Sequence, residues 1–292
     1  MTSTAHAELV VPPARAGQSV FWISSSVLFA ASAALTVAWC ASMSEMSSMA
    51  MPGGWTMSMA WMRMPGQTWL GAAASFLGMW VVMMVAMMLP SLIPTLDQYR
   101  RAVGGGGGPR LGGPTTALAG AGYFLVWTAF GVIAFPVGAA LAELAMRHPA
   151  LARAAPAGAG AVVAVAGLLQ LTAWKARHLA CCRSAPGRSR APSPSPSPSP
   201  SPSLSPPTPP SGEAGAAFRF GARLGLHCGL CCLGPMAVLL VVGVMDLRAM
   251  MVVTVAITLE RLAPAGAWTA RALGAVAIAA GTLLIVRAAL FG

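Results

Sequence analysis

The sequence predicts an all-α protein, a polytopic transmembrane helix bundle of about seven helices. Three observations carry this. Of 292 residues, 57% are hydrophobic and 9% charged, against the roughly 25% charge of soluble domains. The uncharged intervals 16–44, 64–96, 111–142, 154–174 and 224–245 each exceed the roughly 20 residues needed to cross a hydrocarbon core about 30 Å thick. The formal charge of +11 comes from basic residues set singly or in pairs at the ends of these runs. That is the pattern of membrane topology, so the expected partner is the lipid bilayer and nucleic acid is not one.

Taken in order, residues 1–19 form a cytoplasmic N-terminal tail. The first apolar run begins near Val20 without a small-residue cleavage pattern after a basic start, so it is expected to stay as an anchor. Helices are expected at 20–41, 69–94, 115–142, 156–176, 223–245, 249–262 and 268–290. With the N-terminus inside, thirteen basic residues fall on the cytoplasmic side and five, Arg63, Arg147, Arg153, Arg248 and Arg287, on the outer side. The positive-inside bias therefore places a multi-pass protein in the bacterial inner (cytoplasmic) membrane with that orientation. The sixth helix is short: only 11 residues separate Arg248 from Glu260, about 16 Å as a helix. Glu260 then either pairs near the bilayer, with Arg261 or another basic residue, or marks an interfacial helix end before Pro264.

Residues 191–217 begin with a Pro/Ser tract holding 10 of the chain's 24 prolines. Such a tract cannot pack a core and is expected as a disordered, extended loop. It divides the N-terminal helical part, 20–190, from a C-terminal three-helix part, 218–292. The glycine run at 104–108 lacks the preceding strand and following Lys-Ser/Thr of a phosphate cradle.

The methionines are unevenly placed. Of nineteen, eight lie at positions 43, 46, 49, 51, 57, 59, 62 and 64, in the outer loop 43–68, and five more at 79, 83, 84, 87 and 88. Thioether sulfur is a neutral, soft donor that favours Cu(I) over hard cations. The loop is either a soft-metal ligand set or an amphipathic cap anchored at the interface by Trp55, Trp61 and Trp69. In the second helix, Met79, Met83 and Met87 share one stripe and Met84 and Met88 the adjacent one. This is either helix packing or a ligand ladder leading inward.

Five of the six cysteines form two groups, Cys181–Cys182 and Cys228–Cys231–Cys232, and two of the four histidines, His178 and His227, accompany them. Both groups are expected at the cytoplasmic side, where thiols stay reduced and metal binding or redox chemistry is favoured over structural bridging. Cys228, Cys231, Cys232 and Met236 share a face at helical spacing, as do Gln170, Trp174, His178 and Cys181 or Cys182 if the fourth helix continues. Two antiparallel neighbours would join these sulfur and nitrogen donors in one site, suited to Cu(I) or, alternatively, tetrahedral Zn(II). Cys40, alone, is expected as an apolar filler.

The blocks WVVMMVAMMLPSLIP (80–94), YFLVWTAFG (123–131), QLTAWKARHLACCRSAP (170–186), GLHCGLCCLGPM (225–236) and GVMDLRAMMVVTVAITLERLAPAG (243–266) resemble, in order, those of the DUF2182 family of bacterial integral membrane proteins, some described as copper chaperones. The resemblance implies a metal-binding membrane protein. Met83, Met84, Met87 and Met88 look like its methionine-rich helix, Lys175 like the Lys that opens a K-x-x-C-L-x-x-C-R block, and Cys182 and Arg183 like that block's end. His178 stands where a Cys is usual. Cys228, Cys231, Cys232 and Met236 are similar to its C-x-x-C-C-x-x-x-M block, with Leu233, Gly234 and Pro235 in place of a more usual aromatic-led run. Glu260 and Arg261 look like its acidic-basic pair.

The leading reading is a membrane protein that binds a soft metal ion, Cu(I) first, and hands it over or moves it, with a protein partner for the transfer. The alternatives are an enzyme, a membrane thiol-disulfide oxidoreductase using Cys228 and Cys231, or a non-catalytic scaffold subunit of a metalloprotein complex. No nucleotide-binding or phosphorylation-type aspartate motif supports ATP-driven pumping.

Overall fold

The computed structural model describes residues 13–45, 49–52, 54–107, 112–183 and 214–291. The Pro/Ser tract, most of the N-terminal tail and Met46 lie outside the described residues, as do the side chains of Met59 and Cys181. The helices are α1 (Pro13–Glu45), α2 (Trp69–Gly107), α3 (Gly112–Arg147), α4 (Pro149–Gln170), α5 (Ala173–Arg183), α6 (Ala214–Cys231), α7 (Leu233–Val242), α8 (Leu247–Leu262) and α9 (Gly266–Phe291). Five spans, Gly17–Met43, Trp69–Val103, Gly113–Arg147, Pro149–Gln170 and Gly266–Leu290, are long and apolar enough to cross a membrane, or six if the bent pair α6–α7 is one span.

Two of the seven expected helices are divided. The fourth stops at Gln170 and restarts as α5 at Ala173. The fifth begins earlier than its uncharged run, at Ala214, and breaks at Cys232. Arg219 thus lies within α6 rather than before it, and Arg223 lies at its middle rather than at its start. The sixth, α8, is 16 residues long and is not among the spans. Its start is fixed by Asp246, whose side chain accepts from the backbone N–H groups of Arg248 and Ala249, a standard way to satisfy the free donors of a first turn.

The methionine-rich loop is folded. Strands β1 (Met49–Met51) and β2 (Trp55–Met57) pair antiparallel, Met49 opposite Met57 and Met51 opposite Trp55. Gly54, at φ +73°, supplies the left-handed residue of the connection, a conformation glycine adopts without steric cost. Met51 and Met57 are buried against Ala142 and Ala152, and the Trp55 indole donates to the Ala152 carbonyl at 2.8 Å. For these two methionines packing is the role.

Glycines set the helix contacts that position the centre. On α6, a Cβ at Gly221 would run into the Ala119 backbone, and one at Gly225 would lie 2.8 Å from the Tyr123 carbonyl oxygen. The close approach of α3 and α6, of the small-residue kind that holds helices together in lipid, sets the Tyr123 ring beside α6. On the far side, Gly160 and Gly167 of α4 face Gly281 and Gly274 of α9 in the same way.

Gly221→Ala is expected to push α3 from α6 and destabilise the detergent-solubilised protein by about 1–3 kcal/mol. Gly215→Ala, where an added Cβ meets open space, is expected to leave thermal unfolding unchanged or raise its midpoint.

Candidate metal centre

The centre is built on a broken helix. Between α6 and α7 the axis turns by 63°, and the cause is Pro235. A proline has no N–H, so the carbonyl four residues back, that of Cys231, loses its helical donor. The Lys175 ammonium fills the vacancy, its Nζ donating to the Cys231 oxygen at 2.7 Å. Backbone bonds from Cys232 N to the Cys228 carbonyl and from Met236 N to the Cys232 carbonyl hold the two sides of the break. The cysteines therefore lie at the middle of the α6–α7 run, not at the start of a helix as the sequence suggested.

At this break the two cysteine groups meet. Cys182 of α5 is buried in the same core as Cys228, Cys231 and Cys232. The sulfurs of Cys232 and Cys228 are 3.9 Å apart. All four are free thiols, and Cys228, Cys231 and Cys232 are no more than 2% exposed. Cys228 receives two further donors, the Tyr123 hydroxyl at 3.0 Å and Nη1 of Arg261 at 3.3 Å.

Charged side chains surround the thiols. Lys175 and Arg261, read from the sequence as cytoplasmic flanking charges, are 2% and 5% exposed, and Glu260 is 1% exposed. Glu260 is thus a core residue and not an interfacial end marker. Its partner is Lys175, Nζ to Oε2 at 2.6 Å, rather than Arg261, and Gln170 donates to its other oxygen at 2.6 Å. Arg261 instead donates through Nη1 to Ser91 of α2 at 2.9 Å as well as to Cys228. Among the described residues its Nε and Nη2 are buried without a hydrogen-bond partner.

The two histidines lie together, with ring centroids 5.7 Å apart, and Trp174 meets His178 edge-on at 4.5 Å. Burial and the neighbouring His227 lower the His178 pKa below its usual 6.5, so the neutral form, the one that ligates a metal, predominates at neutral pH. Among the described residues His227 Nδ1 is buried without a hydrogen-bond partner. Met83, Met84, Met87 and Met88 are buried in the same core as the cysteines, and so is Met236. Among the described residues no group of three or more His, Cys, Asp or Glu is arranged to hold a metal ion. What is in place is a thiol pair, Cys228 and Cys232, with its charge partners.

Sequence reasoning missed Tyr123 and Ser91. Tyr123 carried a signal: it is one of two tyrosines and sits within an apolar run, where a phenol needs a hydrogen-bond partner. Ser91 carried none, since its hydroxyl also bonds back to the Met88 carbonyl as helical serines commonly do.

A model of the PpoB2 family, described as copper chaperone, matches residues 77–284. No curated protein and no solved structure matches the chain. The matched segment contains the five clustered cysteines, His178, His227, Lys175, Glu260 and Arg261.

The buried ion pair generates a double-substitution test. Lys175→Met or Glu260→Met alone strands a charge and is expected to cost about 3–5 kcal/mol, whereas the double variant is expected to recover most of the loss. Equal, additive losses in unfolding measurements would contradict the pairing.

Proposed function

Because the chain belongs to the PpoB2 family of copper chaperones, we propose that it is a multi-pass membrane protein that binds Cu(I) at the α6–α7 break and hands it on to an acceptor protein. The observation that carries this reading is the Cys228–Cys232 pair with its sulfurs 3.9 Å apart. Two thiolates each about 2.3 Å from one metal ion, at an angle between tetrahedral and trigonal, stand about 3.8–4.0 Å apart. The pair therefore needs little rearrangement to share an ion.

Charge favours a monovalent ion. Cu(I) with two thiolates carries one net negative charge, which the Arg261 guanidinium beside Cys228 offsets in a buried site. The two unpartnered N–H groups of Arg261 are donors that deprotonated sulfurs can accept. Lys175 is already committed to Glu260 and the Cys231 carbonyl, so it serves the break rather than the ion. Cys231 and Cys182 add sulfurs in the same core, where Met236 adds a thioether, and the His178–His227 pair offers nitrogen donors. Zn(II), which takes four such ligands, is the second choice.

The apolar outer surface, with residues such as Val20, Leu70, Ile133, Val252 and Val276 largely exposed, is the surface a bilayer covers. We assign it to the bacterial inner membrane with the N-terminus cytoplasmic, on the basic-residue bias of the sequence. The thiol-disulfide reading is the weaker one: exchange requires access to a sulfur, and these three are almost wholly enclosed.

Replacing Cys228, Cys231 and Cys232 together by Ser is expected to remove tightly bound Cu(I), read by competition with a chelator under reducing conditions, since hydroxyl oxygen is a poor soft donor. Arg261→Met is expected to weaken binding by about 10- to 100-fold, as loss of an outer-shell partner does, with Arg261→Lys intermediate. Unchanged copper affinity in the triple Ser variant would reject the site.

A further inference from the structure

A second collection of soft donors lies outside the cysteine centre. The end of α1, the loop after the hairpin, the first turns of α2 and the α7–α8 loop enclose a cavity of about 210 Å³. Five methionines line it: Met43, Met62, Met64, Met79 and Met245. Met245 is far from the others in sequence, so the crowding of methionines in the loop does not account for its presence there. These methionines differ from Met51 and Met57, which fill the packed layer under the hairpin. Met43, Met62, Met64 and Met245 are partly exposed and Met79 is buried, so the donors run from the mouth of the cavity to its floor.

Among the described residues the rest of the lining is uncharged. Its polar side chains Gln67 and Ser75 are spent on each other at 3.3 Å, and the Gln67 oxygen accepts from the Met64 backbone N–H. Lining whose described residues include no carboxylate suits a hard divalent cation poorly, whereas neutral thioethers suit a soft monovalent one. Methionine's three rotatable bonds let two or three sulfurs swing onto one ion in the available space.

From the floor, Met79 begins the stripe that continues with Met83 and Met87, one and two turns further along α2. Ser91, about 18 Å from Met79 by helical rise, holds Arg261 against Cys228. We propose that the methionine-lined cavity is a second, weaker Cu(I) site, from which the ion is loaded toward the buried thiols along this face of α2. The direction of loading rests on the copper reading above; the binding site itself does not.

The test is a Cu(I) titration of the full-length protein in detergent, with a competing chelator and with Ag(I) as a parallel probe. Wild type is expected to show a tight and a weaker class. In the Met62→Leu/Met64→Leu/Met245→Leu variant, which keeps volume and removes sulfur, the weaker class should vanish and the tight one remain. In the Cys228→Ser/Cys231→Ser/Cys232→Ser variant the reverse is expected. The single variants Met62→Leu and Met245→Leu, which disturb folding least, should each weaken the second class by about tenfold. Retention of the weaker class at wild-type affinity in all the Met variants would overturn the proposal, as would its loss in the Cys variant. If the Cys variant kept both classes, the cavity site would stand and the thiol site would fall.

Discussion

The pairing of Lys175 with Glu260 holds this molecule together at the point that matters. Two opposite charges inside an apolar bundle are costly unless each finds its partner and its remaining hydrogen bonds. Here the ammonium answers the carboxylate and the Cys231 carbonyl that Pro235 leaves without a donor, while Gln170 takes the second carboxylate oxygen. One knot thereby ties the end of α4, the start of α5, the C-terminus of α6 and the end of α8. Without it the break at Cys232 would expose an unsatisfied carbonyl, and α5 would have no fixed place from which to present Cys182.

The arrangement separates two tasks that basic residues often share. Lys175 stabilises backbone and is already paired, whereas Arg261 reaches a sulfur and keeps donors in reserve. The difference follows from their shapes: an ammonium is a compact charge that here bridges two oxygens, and a planar guanidinium spreads its donors over several acceptors. Close helix approach at Gly221 and Gly225 then brings the Tyr123 hydroxyl to the same sulfur from a third direction. Cys228 is consequently the most elaborately supported thiol of the four.

Much of this was legible in the sequence, and the reasons for the remainder are physical. Uncharged length marks spans well, so α1 through α4 follow from it directly, whereas α9 carries Arg271 and Arg287 near its ends. It says nothing about breaks inside a run, because Leu, Gly and Pro at 233–235 are as uncharged as a continuous helix. The same method counts every basic residue as flanking, which put Lys175 and Arg261 at cytoplasmic helix ends when both are in the core. Joining of the two cysteine groups was foreseen from spacing. The partner of Glu260 was not, because Lys175 lies 85 residues away and no local periodicity links them. The methionine loop divided between both readings: Met51 and Met57 pack, while Met43, Met62 and Met64 turn toward a cavity that Met245 completes.

The central claim is that thiolate sulfurs at the α6–α7 break hold Cu(I). X-ray absorption at the copper edge of protein loaded with one equivalent of Cu(I) tests it most directly. The account predicts a reduced-copper edge and a shell of two or three sulfurs at about 2.3 Å, the usual metal–thiolate distance. A first shell of nitrogen and oxygen alone would contradict it.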